Sequence, residues 1–401
     1  MREMKDSGVP WIGEIPKNWE ISQLKRWVKV NNGKEISEEV NQGDLSAIPV
    51  YGSGGPFKYT NSSMYKGEAV LFGRKGTLGK PLYVDDEFWV VDTMYYLTMM
   101  SLNPKFCYYL LTAFDWIPFI TKTAIPSIVA SDIVAQKYPI PSKEEQLRIA
   151  DFLDTKCAEI DSFLEKTKAS IEEYKKLKQS VITETVTKGI RGNRPMKETG
   201  VEWIGEIPAE WDVIKIKWLL KERNDRSDNG SEEPLSMSQK YGIIPTNELD
   251  TVPNMASSFV GAKLVSKGDL VFNKLKAHLG VFAVSEFDGL VSPDYAVYYS
   301  AGRCDVKYLE RIFKTPQYIS EFRKRSTGVG AGLTRLYTSD LFDMYTTLPS
   351  ESEQQEIAAY LDEKCAAIDS LIASKEALLA ELEAYKKSLI YEYVTGKKEV
   401  I

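Results

Sequence analysis

Apolar and polar positions fall into one sustained helical rhythm along this chain. No Gly or Pro interrupts 142–188, and Ile160, Leu164, Thr167, Ile171, Tyr174, Lys178 and Val181 follow in alternating steps of four and three. A narrow apolar seam at that spacing, with a few polar interruptions, predicts a coiled-coil seam rather than a helix buried in a globular core. The rhythm returns 208 positions later in Ile368, Ile372, Lys375, Leu379, Leu382, Lys386 and Leu389. Ser142 with Glu145, and Ser350 with Glu353, form capping-box patterns that predict helix starts. Two such helices in one chain most economically pair with each other. The first ends at Lys188-Gly189, and Gly-Ile-Arg-Gly-Asn-Arg-Pro at 189–195 reads as a linker.

Elsewhere the pattern is of short strands in mixed α/β regions. Glu68–Phe72 and Phe88–Val91 read as strands around a glycine-rich turn, and Asp269–Phe272 and Leu290-Val291 occupy similar places in the second half. Gly67-Glu68 aligns with Gly268-Asp269, Leu78-Gly79 with Leu279-Gly280, and Ser131-Asp132 with Ser339-Asp340. Two inserts of one fold with divergent surfaces are expected, the second longer by about one hairpin.

The frame around the inserts is written twice. Met4-Lys5-Asp6-Ser7-Gly8-Val9-Pro10-Trp11-Ile12-Gly13-Glu14-Ile15-Pro16 returns 192 positions on as Met196-Lys197-Glu198-Thr199-Gly200-Val201-Glu202-Trp203-Ile204-Gly205-Glu206-Ile207-Pro208, with Trp19 and Trp211 following. Pro141-Ser142, Glu145-Gln146, Ile149-Ala150 and Leu153-Asp154 return at an offset of 208 as Pro349-Ser350, Glu353-Gln354, Ile357-Ala358 and Leu361-Asp362. A common frame with two different inserts suits reading two different things at a fixed separation.

The net charge of −6 is unusual for a nucleic-acid binder, but residues 351–383 hold nine acids against two bases, leaving +1 for the rest. The stretch 311–335 carries Arg311, Lys314, Arg323, Lys324, Arg325 and Arg335 against Glu321. Four scattered cysteines with no CxxC spacing read as small hydrophobes, which fits a reducing cytoplasm. No apolar run approaches the ~20 residues of a membrane span.

Candidate chemistry is sparse. Gly73-Arg74-Lys75-Gly76-Thr77-Leu78-Gly79-Lys80 fails as a phosphate loop, because Lys80 is followed by Pro81. It reads instead as a strand–turn–strand tip presenting Arg74 and Lys75, suited to bidentate contacts and to point-charge contacts respectively. The matching turn, Asn273-Lys274-Leu275-Lys276-Ala277-His278, holds an amide suited to adenine and the chain's single histidine. The loops 51–55 and 328–332 lack the strand-to-helix setting of a dinucleotide fingerprint. No persuasive catalytic constellation is present.

The phrases at 8–19 and 200–211, and Pro-Ser-x-x-Glu-Gln-x-x-Ile-Ala-x-x-Leu-Asp at 141–154 and 349–362, resemble those of type I restriction–modification specificity subunits. So do Phe72–Lys80 and Val291-Ser292-Pro293-Asp294-Tyr295, so the resemblance runs through the whole chain. It implies an α+β fold with two target-recognition domains in pseudo-two-fold arrangement, at 1–142 and 191–350. Spacer helices at 143–190 and 351–401 would form an antiparallel coiled coil. Each domain would bind one half of a split, asymmetric double-stranded DNA sequence. DNA contacts are expected at Arg74, Lys75, Lys80, Asn273, Lys274, Lys276, Arg323, Lys324, Arg325 and Arg335. Two methyltransferase subunits using S-adenosylmethionine, and restriction–translocase subunits needing ATP and magnesium, would join a chain that itself holds neither metal nor cofactor. The seam from Ile160 to Val181 advances about 32 Å at ~1.5 Å per residue. With its ends it makes a rod of roughly 40 Å, close to one turn of DNA at ~34–36 Å. Two other classes stay open: a DNA-binding regulator or competitor without a modification complex, and a coiled-coil scaffold without nucleic acid. Co-purification with a methyltransferase and a salt-sensitive DNA shift separate them.

Overall fold

The computed structural model describes residues 2–238, 241–249, 258–330 and 333–400, so Ala331 and Gly332 of the second glycine loop lie outside it. Its helices are α1 (Pro104–Ala113), α2 (Ala130–Val134), α3 (Lys143–Lys188), α4 (Val306–Phe313), α5 (Pro316–Arg325), α6 (Thr338–Phe342) and α7 (Glu351–Val394). The chain divides into two units, Met1–Ala169 with Glu376–Ile401, and Ser170–Lys375. Each unit takes one end of each long helix.

Both long helices start with the serine half of the capping pattern, while Glu145 and Glu353 turn to Trp and Arg instead. Ser142 Oγ accepts the Glu145 N–H at 3.3 Å, and Ser350 Oγ accepts that of Glu353 at 3.3 Å. The next residue ties the helix to its own unit. Gln146 donates to the Pro141 carbonyl at 2.9 Å and accepts from the Asn103 N–H at 2.8 Å, where Asn103 caps α1. Gln354 does the same with Pro349 and with Asp305, the cap of α4, at 2.9 and 2.8 Å. Two orphan carbonyls and two orphan amides at these junctions are thereby satisfied.

In the first unit a four-stranded sheet runs in the order Val28–Asn32, Met94–Met99, Ala69–Gly73, Leu82–Val84. The second unit repeats that order with Leu220–Arg223, Ala296–Ser300, Leu270–Phe272 and Phe282–Val284. Beneath each sheet the frame supplies the core. Ile15 and Trp19 pack with Leu153 of α3 and Val394 of α7, while Ile207 and Trp211 pack with Leu361 of α7 and Val186 of α3. The fold is thus α+β, with two mixed domains of one topology and a pair of long helices. The inserts differ by more than a hairpin. Between α4 and α6 lie α5 and the hairpin Thr327–Gly330/Leu333–Arg335, where the first unit has one short 3-10 turn between α1 and α2.

The long helices run antiparallel within each unit. In the first, Phe152 and Tyr393 rings lie 4.4 Å apart and Lys386 meets Asp161. In the second, Lys375 lies 5.6 Å from the Tyr174 ring and Lys178 meets Asp369.

Candidate nucleic-acid interface

The strand Ala69–Gly73 is buried throughout, so the chain must turn outward after it before returning as Leu82–Val84. Arg74 and Lys75 both donate their N–H to the Thr93 carbonyl, at 2.8 and 3.2 Å. The Thr77 N–H is accepted by Ser53 Oγ at 2.9 Å. Gly79 closes the turn at φ +72°, where a Cβ would press on the Trp116 ring at 3.1 Å. On the other side Ile128 donates to the Arg74 carbonyl at 3.0 Å, and Lys75 bridges Ser127. The neighbouring loop is hydrogen-bonded within itself: Thr121 accepts from the Ser127 N–H at 3.0 Å and Thr123 donates to the Ile125 carbonyl at 2.8 Å. The backbone is therefore held while the side chains point out. Arg74, Lys75 and Lys80 are exposed, and among the described residues none is ion-paired. Lys122 on the adjoining loop, missed by the sequence reading, is exposed in the same way.

The second unit builds the same turn from different residues. Asn273 donates its N–H to the Val281 carbonyl at 3.1 Å, and its Oδ1 accepts from Leu275 at 3.2 Å. Gly280, at φ +73°, takes the place of Gly79. The Lys274 carbonyl accepts from Leu336 at 3.0 Å, as that of Arg74 does from Ile128. Lys276 is exposed, whereas Lys274 is half-buried. Burial pushes the Lys274 ammonium below its usual range, and neighbouring Lys263 and Arg335 push it the same way.

The basic stretch 311–335 is largely neutralised. Lys324 and Arg325 share Glu321 at 2.6 and 3.5 Å, Lys314 meets Glu310 at 2.5 Å, Arg311 meets Asp362, and Arg335 meets Asp294 at 3.5 Å. Only Arg323 of that set is exposed without an acid among the described residues. Counting charges along the chain could not see partners such as Asp362 and Asp294, which folding brings in from elsewhere.

A repeated ionic node also went unread. Glu353, buried at the start of α7, accepts from Trp211 Nε1 at 2.8 Å and from Arg194 at 2.6 Å. Arg194 also lies 5.2 Å from the Trp211 ring. Glu145 at the start of α3 accepts from Trp19 Nε1 at 2.9 Å and from Arg2, which lies 5.9 Å from the Trp19 ring. The signal was available, for Arg2 and Arg194 share the 192-residue offset of the tryptophans.

Two domains of one topology, each raising an anchored polar turn beside its own copy of the repeated frame, make a duplicated protein. Residues 16–173 match the family model for the type I restriction modification DNA specificity domain. The chain is 22% identical to the type I restriction enzyme MjaVIII specificity subunit of Methanocaldococcus jannaschii, over 96% of this chain and 94% of that protein. It is 23% identical to the EcoDI specificity subunit of Escherichia coli, over 96% and 90%. Two solved structures share the fold. A chain from work on complex assembly and conformational transition of the type I R-M system aligns at a TM-score of 0.64, with 13% identity and coverage of 96% and 99%. The HsdS subunit of Thermoanaerobacter tengcongensis aligns at 0.50, with 15% identity and coverage of 96% and 98%. The chain is thus similar along nearly its whole length to type I restriction enzyme specificity subunits.

Proposed function

We propose that this chain is the DNA-reading subunit of a type I restriction–modification complex, with one unit for each half of a bipartite asymmetric target. The carrying observation is the anchored turn that recurs in both units with different side chains, Arg74 and Lys75 in one, Asn273 and Lys274 in the other. Exposed cations and a carboxamide suit binding, so the chain is read as a recognition component. Phosphate contacts would position each domain and base-edge contacts would specify the sequence. Lys75, Lys80, Lys276 and Lys122 suit phosphate, and Arg74 and Asn273 suit base edges. An anionic oxygen arriving beside Lys274 would oppose the burial that lowers its pKa. Arg323 can add to this surface directly; Lys324, Arg325 and Arg335 would first exchange a carboxylate partner for phosphate.

The reading extends to partners. Phe163 and Tyr385 are exposed on the long helices of the first unit, and Leu371 and Leu177 at the 208-related positions of the second. Apolar side chains left open at equivalent positions suit two copies of one partner. Two methyltransferase subunits carrying S-adenosylmethionine fill that role, with ATP-dependent restriction subunits completing the complex. Among the described residues no helix is long and apolar enough to cross a membrane, and a DNA target places the complex in the cytoplasm.

Exchanging residues 20–138 for the insert of a related subunit tests the reading. Methylome sequencing should show one half-site changed and the other retained; a change in both would defeat independent reading. Within an unexchanged chain, binding titrations at several salt concentrations separate the roles. Lys75→Ala should weaken binding to all sequences and lower the salt slope by ~1, whereas Arg74→Ala should cost ~1–3 kcal/mol and relax one position. Unchanged affinity, slope and preference in both would leave this turn as solvated surface.

A further inference from the structure

The long helices carry two ion pairs that the 208-residue offset turns into each other. In the second unit Lys178 Nζ contacts both carboxylate oxygens of Asp369, each at 2.7 Å. In the first unit Lys386 Nζ contacts both oxygens of Asp161, at 2.6 and 2.7 Å. Each lysine thus meets the aspartate that its counterpart's helix carries, the reciprocity expected of an isologous contact. Both lysines occupy positions of the apolar seam, where Val or Leu would pack more favourably.

The side chains are partly exposed, 30% for Lys178 and 27% for Lys386, against 55% for Asp369 and 52% for Asp161. Exposed pairs of this kind contribute little stability. A polar residue in a seam is better explained by what it forbids. A slip of one helical turn would set Lys178 against Cys365-Ala366 or Ile372-Ala373, removing its acid. A slip of one heptad keeps the seam apolar and is the dangerous alternative. In one direction it places Lys386 opposite Lys168, a like charge, so that one of the two pairs turns repulsive while Lys178 meets Glu376. In the other it offers Asp362 to Lys178 and Asp154 to Lys386, but those acids are already taken. Arg311 of α4 holds Asp362, while Lys105 and Tyr109 of α1 hold Asp154, the latter through a 2.7 Å hydrogen bond.

We propose that Lys178–Asp369 and Lys386–Asp161 lock the register of the antiparallel helices, and through it the gap between the two DNA half-sites. The first part rests on the helix pairing alone; the second rests on the DNA-reading function proposed above. The four residues are positioning residues, remote from any base.

The test uses the full chain and two readouts. Zero-length carbodiimide coupling of the free chain, read by mass spectrometry, should join 178 to 369 and 161 to 386. Absence of both cross-links overturns the lock without reference to DNA. Asp161→Lys with Asp369→Lys faces lysine with lysine at both sites. Assembled with its partners, that variant should methylate at more than one gap length, or lose at least tenfold at the native gap. Adding Lys178→Asp and Lys386→Asp exchanges the charges, and should restore the native gap together with the cross-link between positions 178 and 369. Folding is followed by circular dichroism throughout. A folded like-charge variant with the native gap and native rate, or an exchanged variant that stays defective, defeats the proposal. A wild-type complex that methylates no bipartite site would instead overturn the DNA-reading role, leaving the cross-links to judge the register.

Discussion

Removing residues 167–173 together with 374–380 shortens the gap between half-sites and leaves the bases of both unchanged. Seven residues of helix span about 10 Å, which corresponds to at most about three base pairs at ~3.4 Å each. The excised heptads lie between positions 161 and 178 of α3 and between 369 and 386 of α7, so both Lys–Asp pairs survive. The apolar seam survives as well, because a whole heptad returns each following residue to its former face. The turns at 74–80 and 273–280 are untouched, so base preference should persist. Methylome sequencing of cells carrying the shortened chain and its partners reads gap and bases together. A folded variant with the wild-type gap would show that the helices do not set the spacing.

Replacing Glu353 with Leu costs about 1.5–3 kcal/mol of stability, because it removes the buried carboxylate and leaves the Arg194 guanidinium with only exposed Glu210 and the Lys188 carbonyl, each at 3.0 Å. The side chains of Glu353 and Arg194 are only 3% and 9% exposed, so water cannot take over the lost contacts. The Trp211 indole N–H loses its acceptor in the same step. Glu145→Leu should act alike in the first unit, where Trp19 loses its acceptor and Arg2 keeps only exposed Glu399 at 3.1 Å. Denaturant unfolding measures the loss. Adding Arg194→Leu to Glu353→Leu should recover part of it, since the buried guanidinium that lost its buried carboxylate is then gone. If Glu353→Leu unfolds within ~0.5 kcal/mol of wild type, the node is not what joins helix start to frame.

Much of this protein is written locally. The limits of α3 follow from a capping serine, an uninterrupted run of helix formers and Gly189 behind it, all within one stretch of chain. The duplicated phrases told the repeat and the resemblance to specificity subunits, because repetition can be read without any fold. The turn at Arg74–Lys80 was legible too, since a buried strand followed by glycines and cations must turn outward. What only the tertiary structure decided is which charges are free. Among the described residues Arg74 and Lys75 are without acids, whereas Arg335 meets Asp294 across 41 residues and Arg311 meets Asp362 across 51. The node joining Arg194 to Glu353 spans 159 residues. Backbone shape and seam periodicity are set by near neighbours along the chain. An ion pair forms where folding brings a carboxylate within about 4 Å of a cation, and separation along the chain carries no record of that distance.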